Sequence, residues 1–393
     1  MIELEEAIEI IKENVKKIKR VKTCNIIDAI NKVSVEDVYS PIDSPPFDRS
    51  PYDGYTYNSD IDTNKLKVVG TVFAGEIFKK KLDKNEAVKI MTGAKIPKEA
   101  NCVIKKEDVD IIDEYIILNK KLNKHDNYIF KGEDINKGQL IINKGCTISV
   151  EDIGVLASLG IHEILVYDDI KVGILITGTE IQDLHEILMD GKIYDSNKYI
   201  LNSKLKKMDI NNVVVDKASD DLLELEEKVR SIIKRVDCLI TTGGVSVGDK
   251  DLIPKAFKEL GAKELFWRVN VKPGGACYSA ILEEKLLLGL SGNPHAALIV
   301  FDNILIPAIE YITNKEKNHK IKAIFKGEFN KKSKKDRFIR AKLFTENAKL
   351  YVKMTDNKDA KARLYATLNS NCMIKVNKGT TLTDNQMVEV VTF

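Results

Sequence analysis

Apolar side chains change their spacing along this chain, and each change predicts a different kind of element. Leu4, Ala7, Ile8, Ile11, Val15 and Ile18 recur at helical intervals, which places them on one face of an amphipathic α-helix. From Pro41 to about Asp134, short β-type runs alternate with turn residues: Lys67–Val72, Ala87–Met91, Cys102–Lys105 and Tyr115–Leu118. That stretch predicts a β-rich module. Ser149–Leu159 predicts a helix, with Ser149 as N-cap ahead of Glu151 and Asp152, and Gly160 as a stop. After about Asp169 the pattern changes again. Apolar runs at Lys171–Thr177, Asn212–Asp216, Asp237–Thr242 and Leu286–Leu290 alternate with helical segments near Lys198–Met208, Asp220–Lys234, Leu252–Leu260 and His295–Tyr311. Near-continuous apolar strands separated by helices predict a parallel, doubly wound α/β sheet covered on both faces. Thr313–His319 reads as a linker, and Ile321–Phe393 as a small domain of short strands.

A length of 393 residues exceeds the roughly 250–300 at which single cores stop growing, so several domains are expected. With 62 basic and 59 acidic residues the net charge is +3, which argues against a dedicated nucleic-acid binder. The cluster Lys331, Lys332, Lys334, Lys335 and Arg337 reads as a solvated loop before a strand. No apolar run approaches the roughly 18 residues of a membrane span, and the N-terminus lacks a signal-peptide pattern. A cytosolic protein without a membrane partner is therefore expected. The six cysteines form no C-x-x-C pair and are expected to be free. The five histidines show no metal-binding spacing.

Candidate chemistry gathers after the predicted strands. In an open parallel sheet, ligands bind beyond the strands' carboxyl ends. There the chain places Thr177-Gly178-Thr179-Glu180, then Gly243-Gly244-Val245-Ser246-Val247-Gly248-Asp249 with Asp251, and Ser291-Gly292-Asn293-Pro294. Glycines let backbone N–H groups approach an anion. Two such loops flanked by Glu180 and Asp251 suit a phosphate-bearing ligand with a divalent metal; tight strand-to-helix turns are the plainer alternative. Between the loops, Phe266–Gly275 reads as a strand with Arg268 and Lys272 on one face. Two cations beside a Pro-Gly turn suit an oxyanion, although an ordinary basic surface strand explains them too. The β-rich module carries a rigid loop, Pro45–Tyr55, with Asp53, and further polar groups at Thr92 and Asp134. These carboxylates lie in a region without a phosphate loop, which an intersubunit site would explain.

The strings PPFDRSPYDGYT, AGEIF, KIMTGAKIP, KGEDI, GVLASLGI, ILITGTEI, DSNKYIL, TTGGVSVGDKDLI, FWRVNVKPGG and LSGNPHAALIVF follow in this order. Together they resemble the molybdopterin molybdenumtransferase family, which includes MoeA and the gephyrin E domain. The resemblance runs from about Leu4 to Pro307. It implies four domains: a discontinuous helical linker domain (1–48 and 135–169), a β-rich lobe (49–134), a molybdopterin-binding α/β domain (170–313) and a C-terminal β-barrel-like domain (320–393). It also implies a homodimer with its active cleft between the α/β domain of one subunit and the lobe of the other. The implied reaction converts adenylylated molybdopterin and molybdate to molybdenum cofactor and AMP with Mg²⁺. The upstream molybdopterin adenylyltransferase is an implied partner.

Carried onto matching motifs, the resemblance places Asp53, Thr92 and Asp134 in the cleft, opposite Glu180, Asp220 and Asp251. Glu180 and Asp251 are the expected metal ligands, since Mg²⁺ prefers oxygen donors. Gly243, Gly244, Ser246, Gly248, Gly292, Asn293 and Pro294 would hold the pterin phosphate, while Arg268, Lys272 and Arg340 would attract molybdate. The chain also departs from the family pattern. Ser291 stands for a proline, Ala296 for a serine, Tyr128–Lys131 for an arginine-rich lead, and Ala360–Ala366 for a glycine- and serine-bearing motif. These departures leave a non-catalytic cofactor carrier or a tungstate-inserting paralogue as alternatives.

Overall fold

The computed structural model describes residues 1–245, 251–315, 317–355 and 363–393. It divides into two compact units, Met1–Val21 with Tyr167–Phe393, and Lys22–Val166.

The unit Lys22–Val166 is built on a six-stranded mixed sheet. Its order is Cys102–Lys105, Gly54–Tyr57, Glu86–Ile90, Lys65–Val72, Tyr115–Leu118 and Val109–Ile112. Alternate side chains feed two separate cores: Ala87 joins Tyr55, Leu66 and Ile104, while Val88 and Ile90 join Val72 and Val103. Residues 22–48 and 135–166, which fall in the discontinuous helical linker domain implied by the resemblance (1–48 and 135–169), are joined by short strand pairings. Val21–Asn25 pairs with Glu163–Tyr167 and Val38–Tyr39 with Leu140–Ile142. The α-helix in this part is Val150–Ser158, capped by Ser149 and Asp152 acting reciprocally. A third core of Cys24, Ala29, Ile142, Ile148, Leu156, Ile164 and Val166 holds these pieces together.

In the other unit, strands run in the order Val213–Ala218, Val172–Thr177, Cys238–Thr242, Lys285–Leu290, Cys277–Leu282 and Lys263–Trp267. The first four are parallel, as the alternating pattern predicts. Cys277–Leu282 and Lys263–Trp267 add an antiparallel edge, so the sheet is mixed. Parity explains the unbroken apolar runs. Ile174, Ile240 and Leu288 face one core, while Leu175, Leu239 and Leu287 face the other. The N-terminal helix Leu4–Asn14 buries Leu4, Ala7 and Ile11 in the first of these cores. Its amphipathic stripe correctly signalled a packed helix, and the helix groups with the α/β unit in the structure.

The helix Pro294–Ile312 is long and apolar enough by composition to cross a membrane, with mean hydropathy 1.4, yet 89% of that window is buried inside the protein. It is a core helix. Between Phe301 and Leu305 it widens into a π-turn, just ahead of Pro307, whose missing N–H and ring disfavour a regular turn there. The C-terminal strands Lys320–Phe325, Asp336–Glu346, Lys349–Met354, Cys372–Val376 and Met387–Thr392 pair in a closed circuit, forming a five-stranded barrel. Among the six cysteines, all free, only Cys146 is exposed.

Candidate functional site

The parallel strands end in register, with Thr177 beside Ala218, Ile176 beside Thr242, and Thr242 beside Leu290. Four loops therefore leave one edge of the sheet, and they brace one another. The Thr177 hydroxyl donates to the Thr242 carbonyl at 2.8 Å, and the Gly243 N–H donates to the Leu290 carbonyl at 3.0 Å. Gly243 has φ +89°, and a Cβ there would lie 2.7 Å from Thr177 Oγ1; only glycine fits both the conformation and the space. A Cβ on Gly292 would sit 3.6 Å from the Gly243 Cα, so the two glycine loops approach van der Waals contact. Gly244 is held by Ile253, whose N–H donates to its carbonyl at 3.1 Å. Trp267 Nε1 donates to the Val245 carbonyl at 3.1 Å. Ser246 and Gly248 lie outside the described residues.

In the last loop, Asn293 caps the following helix by accepting from the Ala296 N–H at 3.1 Å, with Pro294 in the first turn. The Ser291 hydroxyl accepts from the Asn293 N–H at 3.3 Å. The serine thus shapes the loop through its hydroxyl, where the family pattern has a proline.

The acidic groups are arranged around Thr179. Its N–H and its hydroxyl both donate to Asp220 Oδ2 at 3.2 Å. Glu180 is exposed and folds back over Gly178, where a Cβ would come within 2.6 Å of its Oε2. Asp251 is half-buried just ahead of the helix Ile253–Glu259. No group of three metal-ligating side chains occurs among the described residues. Mg²⁺ is often held by one or two carboxylates together with substrate phosphates, and the exposed Glu180 above bare glycine backbone fits that role.

The cations differ from expectation. Arg268 does not share a strand face with Lys272: it adopts φ +73° at the end of Lys263–Trp267, and its N–H donates to the Cys277 carbonyl. That left-handed turn breaks the two-residue alternation on which the shared face depended. Lys272 is exposed on the short strand Val271–Lys272, paired with Asp336–Arg337 of the barrel. Arg340 is 3% exposed and donates to Asp302 at 2.8 Å, beside Lys204, which lies 2.6 Å from the other Asp302 oxygen. Phe393 stacks over both cations. The guanidinium is committed to this buried cluster instead of a solvent-facing oxyanion site.

Two buried polar residues at the same edge were not singled out from the sequence. Asp195 follows Ile193–Tyr194, is 4% exposed, and accepts from the Lys198 N–H at 2.9 Å; burial pushes its carboxyl up. Asn197 is 6% exposed and donates through Nδ2 to the Gly292 carbonyl at 2.9 Å. The signal available was two short polar residues, Asp195 and Asn197, at a strand-to-helix junction.

In the unit Lys22–Val166, Asp53 and Thr92 come together. The Thr92 N–H and hydroxyl each donate to Asp53 Oδ1 at 2.8 Å and hold that carboxyl below its ordinary range. The neighbouring Gly54 has no room for a side chain, since a Cβ would lie 1.9 Å from the Ile104 carbonyl oxygen. Asp134 is exposed on a loop whose N–H groups donate to the Ser44 carbonyl; among the described residues it makes no hydrogen bond to the Asp53–Thr92 pair.

Residues 2–160 match the family described as MoeA N-terminal region (domain I and II), and residues 173–311 match the "Probable molybdopterin binding domain". The molybdopterin molybdenumtransferase of Staphylococcus aureus (strain COL) is 34% identical over 324 residues, covering 80% of this chain and 77% of that protein. The enzyme of the same name from Bacillus subtilis (strain 168) is 34% identical over 337 residues, 82% of this chain and 78% of that one. The crystal structure of a molybdopterin biosynthesis MoeA protein from Pyrococcus horikosii superposes with a TM-score of 0.84 at 27% identity, covering 100% of this chain and 99% of the other.

Proposed function

The chain belongs to the molybdopterin molybdenumtransferase family, and on that premise we propose that it joins molybdate to adenylylated molybdopterin, releasing AMP in a Mg²⁺-dependent reaction. The observation that carries this reading is the braced pair of glycine loops at one sheet edge, with Glu180 and the Thr179–Asp220 pair beside them. Close-packed backbone at Gly243 and Gly292 suits the pterin phosphate. Glu180 and Asp251 would hold Mg²⁺, which would neutralise charge on the phosphoanhydride bond being broken. Lys272 remains the exposed cation for molybdate. Asp53, Thr92 and Asp134 would complete the cleft from a second subunit, making the active form a homodimer.

A second reading, a cofactor carrier without turnover, is favoured by the engagement of Arg340 with Asp302, which removes one cation expected to attract molybdate. One assay separates the two. The purified protein with adenylylated molybdopterin, Mg²⁺ and molybdate should release AMP and pass metal to an apo-enzyme. Asp53→Ala and Glu180→Ala should each slow AMP release about a hundredfold or more, as losses of fixed electrostatic groups commonly do. Tight pterin binding with no AMP release in the parent protein would establish the carrier.

A further inference from the structure

Asn197 opens the helix Asn197–Lys207 and is 6% exposed. Its contact with Gly292 settles which way the amide points. The Gly292 carbonyl can only accept, so the NH₂ group must face it. Oδ1 is consequently left over. It is buried and has no hydrogen-bond partner among the described residues. Native interiors rarely leave such an acceptor unpaired, and this one lies next to a loop already assigned to ligand. Two residues earlier stands the carboxylate of Asp195, also buried and also acceptor-only when ionised.

Resting on the reading above, we infer that Asn197 is a specificity-determining residue whose Oδ1 receives an N–H of the pterin's amino-pyrimidinone edge. Acceptors without donors repel phosphate, so this position does not duplicate the glycine loops. A pterin presents its 2-amino group and N3–H side by side, which suits an acceptor-lined position. Adenine presents one amino group flanked by ring acceptors, and those would face repulsion from neighbouring oxygens. The phosphate is thereby held by backbone on one side of Gly292, and the heterocycle is read by a side chain on the other.

The test is calorimetric titration of the full chain with 6-hydroxymethylpterin phosphate, with its 2-oxo counterpart, and with AMP. The parent protein should prefer the 2-amino ligand about tenfold, the usual scale for one buried hydrogen bond with a mismatch in the alternative. Asn197→Ala loses both the acceptor and the donor to Gly292, so it should bind every ligand more weakly and, in addition, bring that preference close to unity. Asn197→Asp keeps an acceptor but loses the donor to Gly292. It should bind every ligand more weakly and retain the preference, a split that a purely structural role would not produce. Circular dichroism on both variants excludes misfolding as the cause. An intact preference in Asn197→Ala, or weakening of AMP instead of the pterin, overturns the inference. A parent protein that binds both pterins equally overturns it while leaving the proposed reaction standing. A parent protein that binds no pterin at all overturns the functional reading first.

Discussion

At the scale of single residues, hydrogen bonding rather than burial sets the electrostatics of Asp53. Thr92 supplies two donors to one oxygen, and the folded carboxyl is held below its ordinary value of 3.8. A carboxyl whose folded pKa is lowered adds stability above its unfolded pKa and loses it as pH falls through the folded value. Thr92→Val removes the hydroxyl donor, so the Asp53 carboxyl resonance followed by NMR should titrate closer to 3.8; an unchanged midpoint would leave only the backbone N–H responsible. Asp302 presents the opposite situation. Its side chain is fully buried between Arg340 and Lys204, so Asp302→Asn strands two cations. Removing one partner from a buried ionic cluster typically costs about 3–5 kcal/mol, and urea unfolding should show a loss of that order. At the candidate site the sequence foretold local geometry, as with the tight turn at Gly243 and the exposed Glu180. That geometry was not legible at Arg268 or Arg340. No local signal marks an arginine for a positive φ, and the partner of Arg340 lies 38 positions away in sequence.

Among elements, those whose periodicity is dictated by burial were the most readable. Strands Cys102–Lys105 and Tyr115–Leu118 match their expected bounds, and helix Leu222–Ile233 lies within Asp220–Lys234. Each is set by an apolar pattern that needs only one or two covering layers. Cys277–Leu282 escaped notice, because a buried strand next to a hairpin turn carries no mark of its direction, and the antiparallel edge it builds follows from that pairing. Likewise the stripe on Leu4–Asn14 announces a buried face without naming what covers it. Where local chemistry decides an element boundary, the expectation can be checked directly. Ser149 accepts from the Asp152 N–H at 3.1 Å and donates to the Asp152 carboxylate at 2.8 Å. Ser149→Ala should lower stability by about 1 kcal/mol, the common value for a lost N-cap, visible as a lower urea midpoint with an unchanged slope.

For the whole molecule, the proposed cleft needs groups from two copies of the chain. Sedimentation of the purified protein should therefore show a dimer, and complementation gives a sharper result. On the proposed reading, Asp53→Ala and Glu180→Ala subunits should each be nearly inactive when alone. If Asp53 of one copy works with Glu180 of the other, a mixed dimer restores one of its two sites. Random re-association should then recover about a quarter of parental AMP release, as two-fold symmetry and equal mixing require. Recovery of none would assign both residues to a site within a single chain.

The placement of Leu4–Asn14 has a consequence for the order in which the protein comes into being. This helix belongs to a unit that resumes only at Tyr167, and it packs against Lys263–Trp267 and the helix ending at Ile312. On a ribosome moving at about 5–20 residues per second, those partners emerge roughly 15–60 s after the helix itself. Throughout that interval Leu4, Ala7 and Ile11 lack the strand and helix they pack against. Residues 22–166, which enclose three cores of their own, are meanwhile fully synthesised and free to close. A segment made early is thus among the last to find its place, and its apolar stripe stays uncovered until its partners arrive.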